Sequence, residues 1–151
     1  MTESVITDAV RAQVGLESEP YSFTVEAGDI IRFALAAGET RHEFCDEVRA
    51  RATAAGGLIA PPTYLIVMRI LQGSGLPLLN PLPNSVDGGT VWEYGEPIRP
   101  GDRLTARARL ADVYEKAGRN GPMLFQAVEI RYENQFGQWV ATQRDTYIRF
   151  G

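Results

Sequence analysis

The chain has 151 residues, 44% hydrophobic and 23% charged, with a formal net charge of -4. Such a chain suits one domain with a real hydrophobic core, 1–151, and without a basic stripe it argues against nucleic acid as a partner. A single cysteine excludes an internal disulfide, and a single histidine beside it leaves the usual zinc ligand sets unbuildable, so neither a metal nor a cofactor is expected.

The opening run MTESVITDAVRAQVG is polar and acidic, unlike a signal peptide, and a reducing cytoplasm fits the lone thiol. Within it Ile6, Ala9, Val10 and Val14 space out a short amphipathic helix that Gly15 can end. Tyr21, Phe23 and Val25 alternate with polar residues as a first strand. Ile30, Ile31, Phe33, Ala34 and Ala37 share one helical face, with Gly38 as the stop. A polar connection over 39–57 follows, with a helical turn or two around 46–53. It holds the only histidine, His42, and the only cysteine, Cys45.

Next comes LIAPPTYLIVMRILQGSG. Pro61 and Pro62 can only open a helix, since neither donates an amide hydrogen. From Thr63 to Leu71 the one charge is Arg69, and a helix apolar on all sides is a buried helix, here over about 62–72. The apolar run is too short and too interrupted to span a bilayer, so no membrane partner is expected. Arg69 either pairs with a buried carboxylate or contacts a thioester or phosphate.

Four strand-like runs complete the chain: GGTVWEYGEPI, DRLTARARLADVYEK, PMLFQAVEIRYEN and QWVATQRDTYIRF. Leu104, Ala106, Ala108 and Leu110 alternate with Arg and Thr, and Leu124, Gln126, Val128 and Ile130 share a face. Each strand is therefore buried on one side only, as in an antiparallel sheet. The intervening turns, 99–101, 118–121 and 134–137, are short enough to make consecutive strands hairpin partners. A buried helix followed by a long antiparallel sheet is best covered by wrapping the sheet around it, an α+β hot-dog fold. One such sheet leaves exposed edges, so dimers are expected.

GGLIAPPTY, EPIRPGD and GPMLFQAVEIRYENQFGQWVATQRDTYIR resemble the MaoC-like dehydratases, in particular their FAS1-like N-terminal dehydratase branch, over roughly 10–150. The resemblance implies a hydro-lyase of fatty acid metabolism. It would hydrate trans-2-enoyl thioesters or dehydrate (3R)-3-hydroxyacyl thioesters carried on coenzyme A or acyl carrier protein. Catalytic members have a D-x-N-P-x-H segment before the central helix. Water adding to C3 must lose a proton and C2 must gain one, work for a carboxylate and an imidazole on opposite sides of one water. The enolate oxygen needs amide donors, which the start of the central helix offers.

Laid on that pattern without a gap, this chain puts Glu39 at the Asp position, Arg41 at the Asn, His42 at the Pro and Phe44 at the His. Asp46, Gly56, Gly57, Ala60, Pro61 and Pro62 fall where the family has similar residues. The segment reads as a retired active site, similar to the non-catalytic subunit of paired dehydratases. The implied partner is then a catalytic hot-dog subunit, in place of or besides a second copy of the chain. If the chain keeps an acid–base pair of its own, it is Glu39 with His42, three residues apart. Otherwise His42 is a solvated loop residue or a ligand or interface contact. By the same resemblance Phe44, Gly57, Ile59, Ala60 and Thr63 are the substrate-binding candidates. Cys45 reads as an inert thiol, since no base is expected to face it.

Overall fold

The computed structural model describes residues 4–67 and 74–151. Helix α1, Asp8–Ala12, starts where the Thr7 hydroxyl accepts the Val10 amide, and Val10 is its buried residue. Strand β1, Tyr21–Thr24, is followed by α2, Ala27–Ala36, which buries Ile30 and Ala34. Gly38 ends it with a φ of 75°, a backbone state costly for any other residue. Two single turns follow, α3 at His42–Cys45 and α4 at Glu47–Ala50. The second is capped by Asp46, whose carboxylate accepts the Val48 and Arg49 amides.

The central helix opens at Pro62–Leu65 as a 3-10 turn, burying Tyr64 and Leu65, while Ile66 is partly exposed. The rest of the expected helix, with Arg69, lies outside the described residues. Phe33 of α2 meets Tyr64 edge-on, ring centroids 5.6 Å apart, which docks α2 on this turn.

Strands β2 (Asn84–Tyr94), β3 (Arg103–Gly118), β4 (Gly121–Glu133) and β5 (Trp139–Phe150) join β1 in one antiparallel sheet. Its order is β1-β3-β4-β5-β2. The expected β3–β4 and β4–β5 hairpins form. The expected β2–β3 hairpin does not. β2 pairs with β5 at the far edge, and residues 95–102 cross to β3 instead of turning back. The cause is where the polar groups of this segment go. Pro97 and Pro100 have no amide hydrogen to give a ladder. The Gly101 amide donates to Val25 and the Ile98 carbonyl accepts from Ala60, so the crossing is stitched to β1 and to the segment before Pro61. At its start Gly95 lies so close to Trp139 that an added Cβ would sit 2.5 Å from the Trp139 carbonyl oxygen.

One face of the sheet forms the core. Leu104, Leu110, Leu124, Val128, Ile130 and Ala141 pack with Val25, Ile30, Leu58 and Leu65 in one cluster. The other face carries a ladder of alternating charge across four strands. Arg109 pairs with Glu129, Glu129 with Arg144, and Arg144 with Glu93. On the inner face the apolar pattern is broken by a polar chain. The Tyr132 hydroxyl donates to Gln143 Oε1 at 2.7 Å, Gln143 Nε2 donates to Asp145 Oδ2 at 2.8 Å, and the Thr90 hydroxyl donates to Asp145 Oδ1 at 2.7 Å. Among the described residues no helix is long and apolar enough to cross a membrane.

Candidate functional site

The loop that follows Gly38 folds back on itself. The Glu39 carboxylate accepts the Thr40 and Arg41 amides at 2.9 and 3.1 Å, and the Arg41 guanidinium grips it in a fork, Nε to Oε1 at 3.0 Å and Nη2 to Oε2 at 2.6 Å. Such a bidentate pair strongly favours the charged acid. The Arg41 side chain, then its own amide and that of Thr40, hold the Glu39 carboxyl down at about 2. The same guanidinium lies 4.5 Å over the Phe44 ring, a cation–π contact. So the side chains of Glu39, Arg41 and Phe44 form one linked unit of carboxylate, guanidinium and ring.

Phe44 is only 5% exposed, and its ring walls a cleft of about 170 Å³. Ile59, Ala60, Pro61 and Pro62 continue that wall, and Tyr94, Glu96, Ile98 and Val140 face it. Two backbone bonds hold the walls in place: Ile59 N–H to the Glu43 carbonyl at 2.9 Å and Ala60 N–H to the Ile98 carbonyl at 2.8 Å. Of the expected substrate residues, Phe44, Ile59 and Ala60 converge here. Gly57 lies off the cleft, against Arg99, and Thr63 is exposed.

The expected acid–base pair is not assembled. His42 is exposed at the start of α3, where its carbonyl accepts the Asp46 amide. The Glu39 carboxylate is committed to Arg41 and Thr40. The expected amide donors at the helix start are also fewer than the chemistry wants. Pro61 and Pro62, both on the cleft, have no N–H to offer an enolate oxygen, so the first donor is Thr63, on the exposed side. The Cys45 thiol donates to the Glu39 carbonyl at 3.2 Å and is pushed up by burial and by the Glu39 and Glu43 charges, so it stays protonated. Among the described residues no group of three His, Cys, Asp or Glu side chains converges to hold a metal.

The ionisable groups that do reach the cleft, Tyr94 and Glu96, come from the end of β2 and the crossing segment. Burial pushes the Tyr94 phenol up. Sequence reasoning missed both because it read 88–98 as one strand-like run that ends in a hairpin turn at 99–101. The one signal was EPIRPGD, whose two prolines mark an extended crossing.

Residues 12–143 match the model of the FAS1-like dehydratase domain region. This chain belongs to the FAS1-like dehydratase family. A UPF0336 protein of Parafrankia is 35% identical over 103 residues, which cover 65% of this chain and 67% of that one. The MaoC-like dehydratase of Rhodospirillum rubrum superposes with a TM-score of 0.72 at 26% identity, over 91% of this chain and 92% of its own. The HadBC (3R-hydroxyacyl-ACP dehydratase) complex of Mycobacterium tuberculosis gives a TM-score of 0.73 over 90% and 96% of the chains. At 20% identity that likeness is one of fold: the hot-dog arrangement of the dehydratases and hydratases.

Proposed function

We propose that this FAS1-like family member is the non-catalytic subunit of a two-chain enoyl-thioester hydratase or (3R)-3-hydroxyacyl-thioester dehydratase. Its cleft would shape the acyl site while a second hot-dog chain supplies the acid and base. One observation carries this reading: the cleft is walled by Phe44 where an imidazole would be needed, and the nearby carboxylate is held ionised by Arg41. Losing one acid–base group typically costs about 10²–10⁴-fold in rate, and on this reading Phe44 replaces the imidazole while Glu39 is tied to Arg41.

The open edge of the sheet supports a partner. Strand β2 is exposed along most of its length, and Val91 there is 62% exposed. An eleven-residue edge with apolar side chains is a surface that proteins usually cover. Pairing along β2 would also bring a partner's side chains toward Tyr94 and Glu96, at the end of that strand. The Mycobacterium tuberculosis HadBC complex is a precedent for two chains of this fold together.

The test is an assay on crotonyl-CoA and on a longer enoyl-CoA, alone and with a catalytic MaoC-like subunit. Turnover is expected only with the partner. Efficient turnover by the pure chain would overturn the proposal; Glu39→Gln and His42→Ala would then show whether those two residues carry it. A second reading draws on the cleft itself, which keeps its apolar walls without the proton-transfer pair: a protein that holds an acyl ligand without reacting it. That reading expects native mass spectrometry to detect an acyl ligand on a chain that forms no complex with any hot-dog subunit.

A further inference from the structure

Arg99 is a half-buried arginine without a carboxylate. Its side chain reaches from the crossing segment to the turn before Gly57, where Nη2 donates to the Ala55 carbonyl at 2.8 Å. Of the two acids three residues away, Glu96 forms no ion pair with Arg99 among the described residues, and Asp102 is spent elsewhere. Asp102 Oδ2 accepts the Arg99 main-chain amide at 2.8 Å, and Oδ1 accepts Gln135 Nε2 at 3.0 Å. Seven other arginines each meet a carboxylate. Among the described residues none pairs with Arg99.

The main chain opposite is equally short of acceptors. Gly56, Ile59 and Ala60 donate their amides to Thr53, Glu43 and Ile98, whereas the Gly57 and Leu58 amides donate to no acceptor among the described residues. A carbon added at Gly57 would stand 3.7 Å from Arg99 Nη1. Guanidinium and glycine main chain are thus neighbours, both rich in N–H, and among the described residues the Ala55 carbonyl is the acceptor the guanidinium meets. Partly buried donors in that state call for water or an anion, and a guanidinium fork beside a backbone amide fits a phosphate best. The place also matters. Ile98 precedes Arg99 and Ile59 follows the 56–58 turn, and both line the cleft.

We propose that Arg99 and the Gly57–Leu58 amides form a phosphate-binding site beside the cleft. The phosphate could be borne by a pantetheine arm, which rests on the thioester reading above, or be free inorganic phosphate. The experiment separates the two. Calorimetric titrations with pantetheine, 4′-phosphopantetheine, coenzyme A and inorganic phosphate are run on the wild type, on Arg99→Gln, which removes the charge, and on Arg99→Lys, which keeps it. If the phosphate is carried on the arm, the wild type prefers 4′-phosphopantetheine over pantetheine by about tenfold or more. Arg99→Gln abolishes that preference and Arg99→Lys restores part of it. If only inorganic phosphate shows Arg99-dependent binding, the site stands and the thioester reading falls. Pantetheine compounds that bind with the same affinities in all three proteins, with no Arg99-dependent phosphate binding, overturn the site and leave the thioester reading intact. Binding of none of the four probes overturns both.

Discussion

Among the carboxylates that several donors hold, Asp145 and Glu39 sit in opposite surroundings. Asp145 is 1% exposed on the inner face of the sheet, where it accepts the Thr90 hydroxyl and the Gln143 amide, and Gln143 in turn takes the Tyr132 hydroxyl. Glu39 lies in a surface loop, gripped by Arg41 and two amides. The bonds are of similar length, but their worth differs. Water competes for the groups around Glu39, whereas Tyr132, Gln143 and Asp145 are almost fully buried, so the inner cluster holds the fold together and the outer one sets a local charge state.

The largest expected effect comes from breaking the inner cluster at its carboxylate. Asp145→Leu takes this acceptor from the half-buried Thr90 hydroxyl and from the buried Gln143 amide, and about 3–5 kcal/mol of stability should be lost in urea unfolding. A smaller cut, Tyr132→Phe, leaves the Gln143 carbonyl oxygen without that donor and should cost about 1–3 kcal/mol in the same measurement. The matching outer change is Glu39→Gln. It should leave the urea midpoint close to that of the wild type, yet shift the Phe44 ring resonances, because the Arg41 guanidinium loses its anchor. If Glu39→Gln proved as costly as Asp145→Leu, the contrast between the two clusters would fail.

The smallest effect, and the sharpest for the outer cluster, is a titration. Glu39 is depressed from its ordinary 4.5 to about 2. A lowered acid contributes fully above its unfolded value and loses its contribution as pH falls through its folded one. Glu39 itself should therefore keep its charge, and its grip on Arg41, between neutral pH and 4.5. The Phe44 ring signals, followed by NMR, should move with a midpoint near 2. A midpoint near 4.5 would mean that Arg41 does not grip Glu39 in solution.

The sheet was the most legible part of the sequence. Alternation over 104–110 and 124–130 assigned inner and outer faces correctly, because a period of two leaves little choice once one side is buried. Gly38 and Pro61 marked real boundaries. Strand partners were less readable: 99–101 looked like a hairpin turn, and only the distant acceptor Val25 and donor Ala60 show why it is a crossing. At the site, the register on the family pattern placed Phe44 at the cleft. That Arg41 ties Glu39 to the Phe44 ring depends on side-chain direction in an irregular loop, which no periodicity encodes. The Thr90–Asp145–Gln143–Tyr132 chain was hidden for a different reason. Its members fall in strands whose polar residues look like an outer face until the pairing of β2 with β5 is known.

That pairing also fixes when the sheet can be finished. Strand β2 has its ladder partner in β5, the last of the five strands to be made, while β3 and β4 are synthesised between them. A chain leaving the ribosome therefore carries β2, with Val86, Val91 and Trp92, unpaired until 139–150 has emerged. Delayed long-range pairing of this kind slows folding and exposes a strand to mispairing. Pulse-labelling hydrogen exchange during refolding should find the β2 amides among the last in the sheet to be protected.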